Sequence, residues 1–384
     1  MESFAFYSER FVLPGGVFGT GYLPVVDGKF GAFTTERPEG TIVDASGKWV
    51  APGFVDTHIH GFFGHSSTDK DAAGLNAASI ELARHGTTSW LPTTFTQDVK
   101  DLGECCASIA DTAESRGSDF VGARIQGIFL EGPFFTMKHV GAQNPAFLID
   151  PRIEILEGWQ RAARGAIRKS ALAPERAGST EYIVAATAMG VKCAIGHTDA
   201  TYEQTMAGVA AGASIFVHTY NGMRGLHHRD PGVVGCAMTT PETYAEIICD
   251  GKHVTPGACK VLVNAKGWDH VVLITDCLAC GGMPEGEYTS GGLAVVMRDG
   301  LCYLRDSDSI AGSVLTLAQG VKNFYDWGIV TAEQAIRMAT EVPALANGIE
   351  RSCGSIVPGR DADVVILNAD LTLDATYVGG SLVR

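Results

Sequence analysis

The sequence predicts an α/β fold: a (β/α)8 TIM-like barrel over residues 51–344, with a small β-sandwich domain formed by residues 1–50 and 345–384. Three observations predict it. Eight short apolar runs alternate with helix-forming segments through the middle of the chain, the pattern of parallel strands joined by crossover helices. Both chain ends are instead β-rich and punctuated by Gly and Pro. Isolated His, Glu and Asp residues close several of the central runs, where a barrel of this kind gathers its functional groups.

The elements follow in chain order. "SFAFYSERFVLP", "GYLPVVDGKFGAF" and "GTIVDASGKWVAPG" read as strands and turns. The barrel strands read as "GFVDTHI" (53–59), "TTSWLPTT" (87–94), "RIQGIFLEG" (124–132), "IRKSALAPE" (167–175), "VKCAIGH" (191–197), "SIFVHT" (214–219), "YAEIICDG" (244–251) and "HVVLITD" (270–276). Helical stretches fall between them, among them 179–190, 201–212 and 255–267, and two more follow strand eight at 314–327 and 331–341. "GSIVPGRDADVVILNADLTL" and "DATYVGGSLVR" return to β character. Neither end has enough strands to be stable alone, so the two should pair into one sheet domain.

A chain of 384 residues, 46% apolar, can bury a core of this size. Its net charge of −14 argues against a nucleic-acid binder, which needs an electropositive surface. It leaves room for a small anionic substrate held by a few local cations. The first residues carry Glu2 and Glu9 and lack the basic and apolar regions of a signal peptide. No apolar run reaches the roughly 18–20 residues of a membrane span. Ten scattered cysteines read as reduced thiols in a cytoplasmic protein. Cys277 and Cys280 form a Cys-x-x-Cys without a second pair, and read as small apolar fillers beside a site.

His58 and His60 close strand one, Glu131 strand three, His197 strand five, His218 strand six and Asp276 strand eight. Side chains two apart on a strand share a face, so the two strand-one imidazoles point the same way, roughly 6.5–7 Å apart. Asp56 shares that face one step deeper. Ionisable groups in a barrel interior are costly unless paired or metal-bound. Several imidazoles converging with carboxylates suit a divalent metal such as zinc, iron or manganese.

"PGFVDTHIHG" near the start and "GSIVPGRDADVVILN" near the end resemble the amidohydrolase superfamily. "LEGPFF", "GAQNP", "GHTDA", "HTYNGM" and "TDCLACGGMPEGEY" resemble one branch of it, the N-acetylglucosamine-6-phosphate deacetylases, and the similarity runs from about residue 40 to residue 368. The resemblance implies hydrolysis of N-acetylglucosamine 6-phosphate to glucosamine 6-phosphate and acetate, by a barrel enzyme that is usually a dimer. It implies Glu131, His197 and His218 as metal ligands, His58 and His60 as a second ligand pair that only some members possess, and so one or two divalent ions per subunit. Asp276 matches the catalytic acid/base. Asn221, Gly222, Ala142, Gln143, Ile310, Ala311 and Gly312 match substrate contacts. Arg229 and His253 match residues that hold the sugar phosphate, with contacts shared across subunits in the family. Gln143 stands where some members have a His, and would donate to the acetyl carbonyl. Many cyclic-amide hydrolases of the superfamily bridge two metals with a carboxylated lysine at the end of strand four. Lys169 lies near the start of that strand, and Glu131 takes the bridging place.

Overall fold

In the computed structural model, which describes residues 3–117, 119–307 and 309–383, the eight expected strands form the barrel. They are β1 (Phe54–Ile59), β2 (Thr87–Pro92), β3 (Ile128–Phe134), β4 (Ile167–Leu172), β5 (Lys192–Ile195), β6 (Ile215–Phe216), β7 (Tyr244–Ile248) and β8 (Val271–Ile274). Strands β3 to β8 pair in sequential parallel order. β1 pairs with β2, and a parallel bridge between Thr93 and Phe129 joins β2 to β3. The ring closes where the backbone N–H of Asp276 donates to the His58 carbonyl at 2.8 Å.

One helix follows each strand: α1 (Ala72–Arg84), α2 (Val99–Ser115), α3 (Ile153–Ala162), α4 (Ser179–Ala188), α5 (Tyr202–Ala211), α6 (Gly232–Thr239), α7 (Pro256–Lys266) and α8 (Leu317–Asp326). Their starts are chemically marked. Asp71 and Asp98 cap α1 and α2, and Thr201 with Gln204 forms a reciprocal capping box on α5. Strand alternation then sorts the core into two layers. On β3, Ile128 and Leu130 pack outward with Leu102 and Ile109 of α2 and Trp159 of α3. Phe129 belongs to a separate cluster with Ala171, Ala194 and Ile215 from neighbouring strands. Glu131 shares the face of Phe129, so the same period that fills the barrel delivers a carboxylate to its mouth.

A strand near each chain end pairs with one from the other end. Trp49–Pro52 runs antiparallel to Val364–Leu367, inside a six-stranded sheet that also holds Phe11–Leu13 and Leu373–Val378. A second sheet of four strands comes from residues 4–44. Phe6, Leu23 and Val25 of the four-stranded sheet meet Phe11, Val50, Val364 and Ile366 of the six-stranded one in one apolar cluster. Met1, Glu2 and Arg384 lie outside the described residues.

One element was not expected. Between β8 and α8, Gly286–Ser290, Leu293–Arg298, Leu301–Leu304 and Ile310–Gly312 form a four-stranded antiparallel sheet. The sequence hides it because its strands are half exposed, so the apolar runs that mark the barrel strands are missing. All ten cysteines are free and buried, and burial pushes the Cys277 thiol well above its ordinary value. Among the described residues no helix is long and apolar enough to cross a membrane.

Candidate active site

The ends of five barrel strands bring His58, His60, Glu131, His197, His218 and Asp276 into one cluster. Glu131 is its centre. One carboxylate oxygen lies 3.2 Å from His58 Nε2, 3.2 Å from His218 Nε2 and 3.5 Å from His197 Nε2. The other lies 3.1 Å from His60 Nε2. Asp276 Oδ1 lies 3.3 Å from the Nε2 atoms of both His58 and His60. Two ligand triads result, His58–His60–Glu131 and Glu131–His197–His218, each with its ligand atoms within 4.8 Å of one another.

These residues fit a divalent metal on three physical grounds. First, Glu131 Oε1 and His58 Nε2 are buried with no hydrogen-bond partner although their neighbours are close, a costly arrangement unless something else fills the space between them. Second, His197 Nε2 and His218 Nε2 face each other at 3.1 Å. His197 Nδ1 faces the His139 carbonyl at 2.8 Å and so carries the proton, which leaves its Nε2 lone pair turned into the site. Third, the site demands positive charge. Burial pushes the His58 imidazole down, but Asp276 and Glu131 more than offset this and lift it to about 10. Burial pushes Glu131 up, yet His58 and bonds from His197 and His218 hold it well below the usual carboxylate range.

Backbone shape contributes. His197, His218 and Asp276 have φ of 46°, 31° and 49°, in the left-handed region that few non-glycine residues adopt. The turn turns each side chain across the mouth just as its strand ends. Gly141 and Gly222, also at positive φ, press against the His197 ring. A Cβ on either would come within 3.1 Å of that ring.

Beneath the mouth lies a chain of buried charges in which the sequence placed Lys169 only as too early in its strand to bridge metals, and did not mark Glu246. His58 Nδ1 faces Glu246 Oε2 at 3.0 Å, and the other Glu246 oxygen takes the Lys169 ammonium, which also donates to the Thr57 carbonyl at 2.8 Å. The carboxylate fixes the His58 tautomer with its Nε2 turned to the site. Burial holds Lys169 below its ordinary value, with Glu246 opposing part of that shift. The signal was present as a charge inside each of two apolar strand runs, Lys169 in "IRKSAL" and Glu246 in "YAEII". Asp56 takes a related supporting place: it accepts from the Thr275 hydroxyl at 2.6 Å and from the His58 N–H at 3.2 Å.

A cavity of about 410 Å³ opens over the cluster, large enough for a small polar ligand. Ala142, Gln143, Asn221, Gly222, His253, Ile310, Ala311 and Gly312 all line it. The last three come from the unexpected sheet, which reaches back over the barrel mouth. His253 is held by Asp250, Nδ1 to Oδ2 at 2.6 Å. Gln143 is engaged already: its amide donates to Glu131 at 2.7 Å, and its oxygen accepts from the Thr96 N–H at 2.6 Å. Arg229 is the exception. It is exposed on the loop before α6, outside the cavity lining, with its guanidinium against His228 at 2.7 Å, while Asp230 pairs with Arg224 instead.

The sequence profile of the amidohydrolase family matches residues 49–383. The chain belongs to the amidohydrolase family. Within it, this amidohydrolase groups with the N-acetylglucosamine-6-phosphate deacetylases. It is 41% identical over 334 residues to such a deacetylase from Vibrio furnissii, covering 87% of this chain and 82% of the relative. It is 34% identical over 375 residues to an N-acetylgalactosamine-6-phosphate deacetylase of Escherichia coli O157:H7, covering 98% of each. Among solved structures, a mutant of the Mycobacterium smegmatis N-acetyl-D-glucosamine-6-phosphate deacetylase, in complex with N-acetyl-D-glucosamine-6-phosphate, superposes with a TM-score of 0.92. It is 28% identical and all of both chains is covered.

Proposed function

We propose that this amidohydrolase hydrolyses the acetamide of N-acetyl-D-glucosamine 6-phosphate to D-glucosamine 6-phosphate and acetate, in amino-sugar catabolism and cell-wall sugar recycling. The observation that carries the reading is Asp276 set 3.3 Å from two imidazoles of a double ligand cluster, at the floor of a cavity sized for one sugar. Glu131, His197 and His218 would hold one divalent metal, and His58 and His60 with Glu131 a second, with zinc, iron and manganese all suited to these donors. Such an ion acidifies a water and polarises a carbonyl oxygen.

The chain's own residues divide the remaining work. Asp276 accepts the proton of the attacking water through Oδ1 and delivers it to the amine nitrogen as the C–N bond breaks. Gln143 holds Glu131 in place, which supports a positioning role rather than the carbonyl donor expected from sequence. His253, backed by Asp250, faces the cavity as a phosphate ligand. Asn221, Gly222, Ala142 and residues 310–312 shape the sugar site. Arg229 would serve the phosphate of a neighbouring subunit, in a cytoplasmic homodimer. The paired terminal sheets would form the small β-sandwich domain, residues 1–50 and 345–384, beside the barrel of residues 51–344.

A cyclic-amide reading fits less well, because Lys169 is committed to Glu246 inside the barrel. A galactosamine substrate is the second reading, supported by the Escherichia coli relative. The test is acetate release from the two N-acetylhexosamine 6-phosphates side by side. Higher kcat/KM on the glucosamine form supports the proposal. Release from the galactosamine form alone would transfer it to the second reading, and no acetate from either would end both.

A further inference from the structure

A second cavity lies away from the catalytic mouth. It measures about 550 Å³ and is lined by Lys29, Arg116, Arg124, Arg351, Arg360 and a single carboxylate, Asp361. Arg116 follows α2 and Arg124 precedes β3, which places the cavity at the N-terminal ends of the barrel strands, opposite the catalytic cluster. Lys29 comes from the N-terminal sheet, and residues 351–361 from the segment that joins the last barrel helices to Val364–Leu367.

Five cations against one acid leave the lining with four net positive charges, in a chain whose net charge is −14. Such a patch does not follow from composition. Asp361 is shared, 2.5 Å from Lys29 and 3.6 Å from Arg124, while Asp363 holds Arg124 Nε at 3.2 Å. Arg116, Arg351 and Arg360 have no carboxylate partner among the described residues.

Arg116 is the most telling of them. Its three nitrogens donate to Asn76 Oδ1 at 2.8 Å, the Ala123 carbonyl at 3.0 Å and Ser79 Oγ at 2.6 Å, all neutral acceptors. Its guanidinium stacks on Phe120, 4.3 Å from the ring centre. A guanidinium has five N–H donors, so two remain free on a rigidly held group. Burial and the adjacent Arg124 pull it down to about 10, the mark of a charge without a counter-ion. A partly buried, immobilised arginine beside further unpaired arginines is the arrangement that recognises phosphate by paired N–H bonds.

We infer that this cavity is a second ligand site, separate from the catalytic mouth, for a small metabolite that carries two phosphate groups. Each phosphate monoester brings about −1.5 to −2 charges at neutral pH, so two of them, about −3 to −4 together, match the three arginines that have no carboxylate partner. A ligand there would tie the lower face of the barrel to the sheets made by the chain ends, and so stabilise the joint between them.

The test uses fructose 1,6-bisphosphate as the probe on the full-length, metal-loaded protein, by calorimetric titration at fixed ionic strength. Three variants accompany the wild type: Arg351→Gln with Arg360→Gln, Ser352→Asp on the exposed rim of the same cavity, and His253→Ala at the catalytic mouth. The expected result is saturable 1:1 binding by the wild type and by His253→Ala. Both cavity variants should bind at least about tenfold more weakly, the loss of one good charged contact or more. Ser352→Asp keeps the arginines, so its effect does not depend on how their removal is tolerated by the fold. Equal binding by all four proteins would overturn the inference, as would absence of binding by the wild type. Binding lost only in His253→Ala would assign the probe to the catalytic mouth and overturn it too.

Discussion

Asp276→Asn removes one ionisable oxygen and leaves the rest of the site as it is. The side chains are the same size, and Asn is among the residues that tolerate the left-handed backbone found here, φ 49°. Neither ligand triad includes Asp276, so both keep their donors. What is lost is the group that receives and returns a proton. Positioned acid/base catalysis is worth roughly 10²–10⁴ in rate, which is about 3–5 kcal/mol of barrier. The assay is acetate release from N-acetylglucosamine 6-phosphate, with metal content measured on the same preparation. The expected outcome is kcat lower by about 10²–10⁴, KM little changed and metal equivalents equal to the wild type. A kcat within about tenfold of the wild type would refute the proton-transfer role. A fall in kcat that tracks a loss of metal would refute the claim that Asp276 stands outside the ligand set.

Other predictions follow from the same geometry. His58→Gln with His60→Asn should reduce bound metal from two equivalents to one while most turnover remains, read by elemental analysis beside the acetate assay; if turnover collapses with the metal, the pair belongs to the essential half of the site. Lys169→Met should destabilise the fold by about 3–5 kcal/mol, because it strands the Glu246 charge inside the barrel; an unchanged denaturation midpoint would mean that Glu246 takes up a proton instead. His253→Ala should raise KM for the phosphorylated sugar far more than for N-acetylglucosamine, and an equal rise on both would remove the phosphate from His253. Burial pulls Lys266 down to about 8 from an unfolded value of 10.5, so the unfolded chain binds more protons between those values. The wild type should therefore gain stability relative to Lys266→Met as pH rises through that window, and a flat difference in urea denaturation would contradict it.

The barrel was legible because buried parallel strands need continuous apolar runs, and a polar residue at the end of such a run has few structural excuses. That logic located His58, His60, Glu131, His197, His218 and Asp276. It failed for Glu246 and Lys169, which sit inside their runs. Nothing in one strand reveals that a residue two strands or more away in space carries the opposite charge. The Gly286–Gly312 sheet was missed because exposed antiparallel strands carry a weak apolar signal. Gln143 shows a further limit. Its place at the cavity could be carried over from a resemblance, but its two hydrogen bonds depend on Thr96, from the loop after β2, and Glu131, on β3, meeting it in space.

The left-handed turns at His197, His218 and Asp276 restrict how this site can change over generations. A β-branched or bulky residue at any of the three would strain the backbone before its chemistry mattered. Asn, Asp and His are the side chains that suit both the turn and a polar site, so single substitutions there exchange one of these for another. New chemistry is easier to acquire at cavity positions such as Ala142 and Ile310, where the backbone sets no such condition. The floor of the site is thus inherited as a fixed block, and variation in substrate falls to its walls.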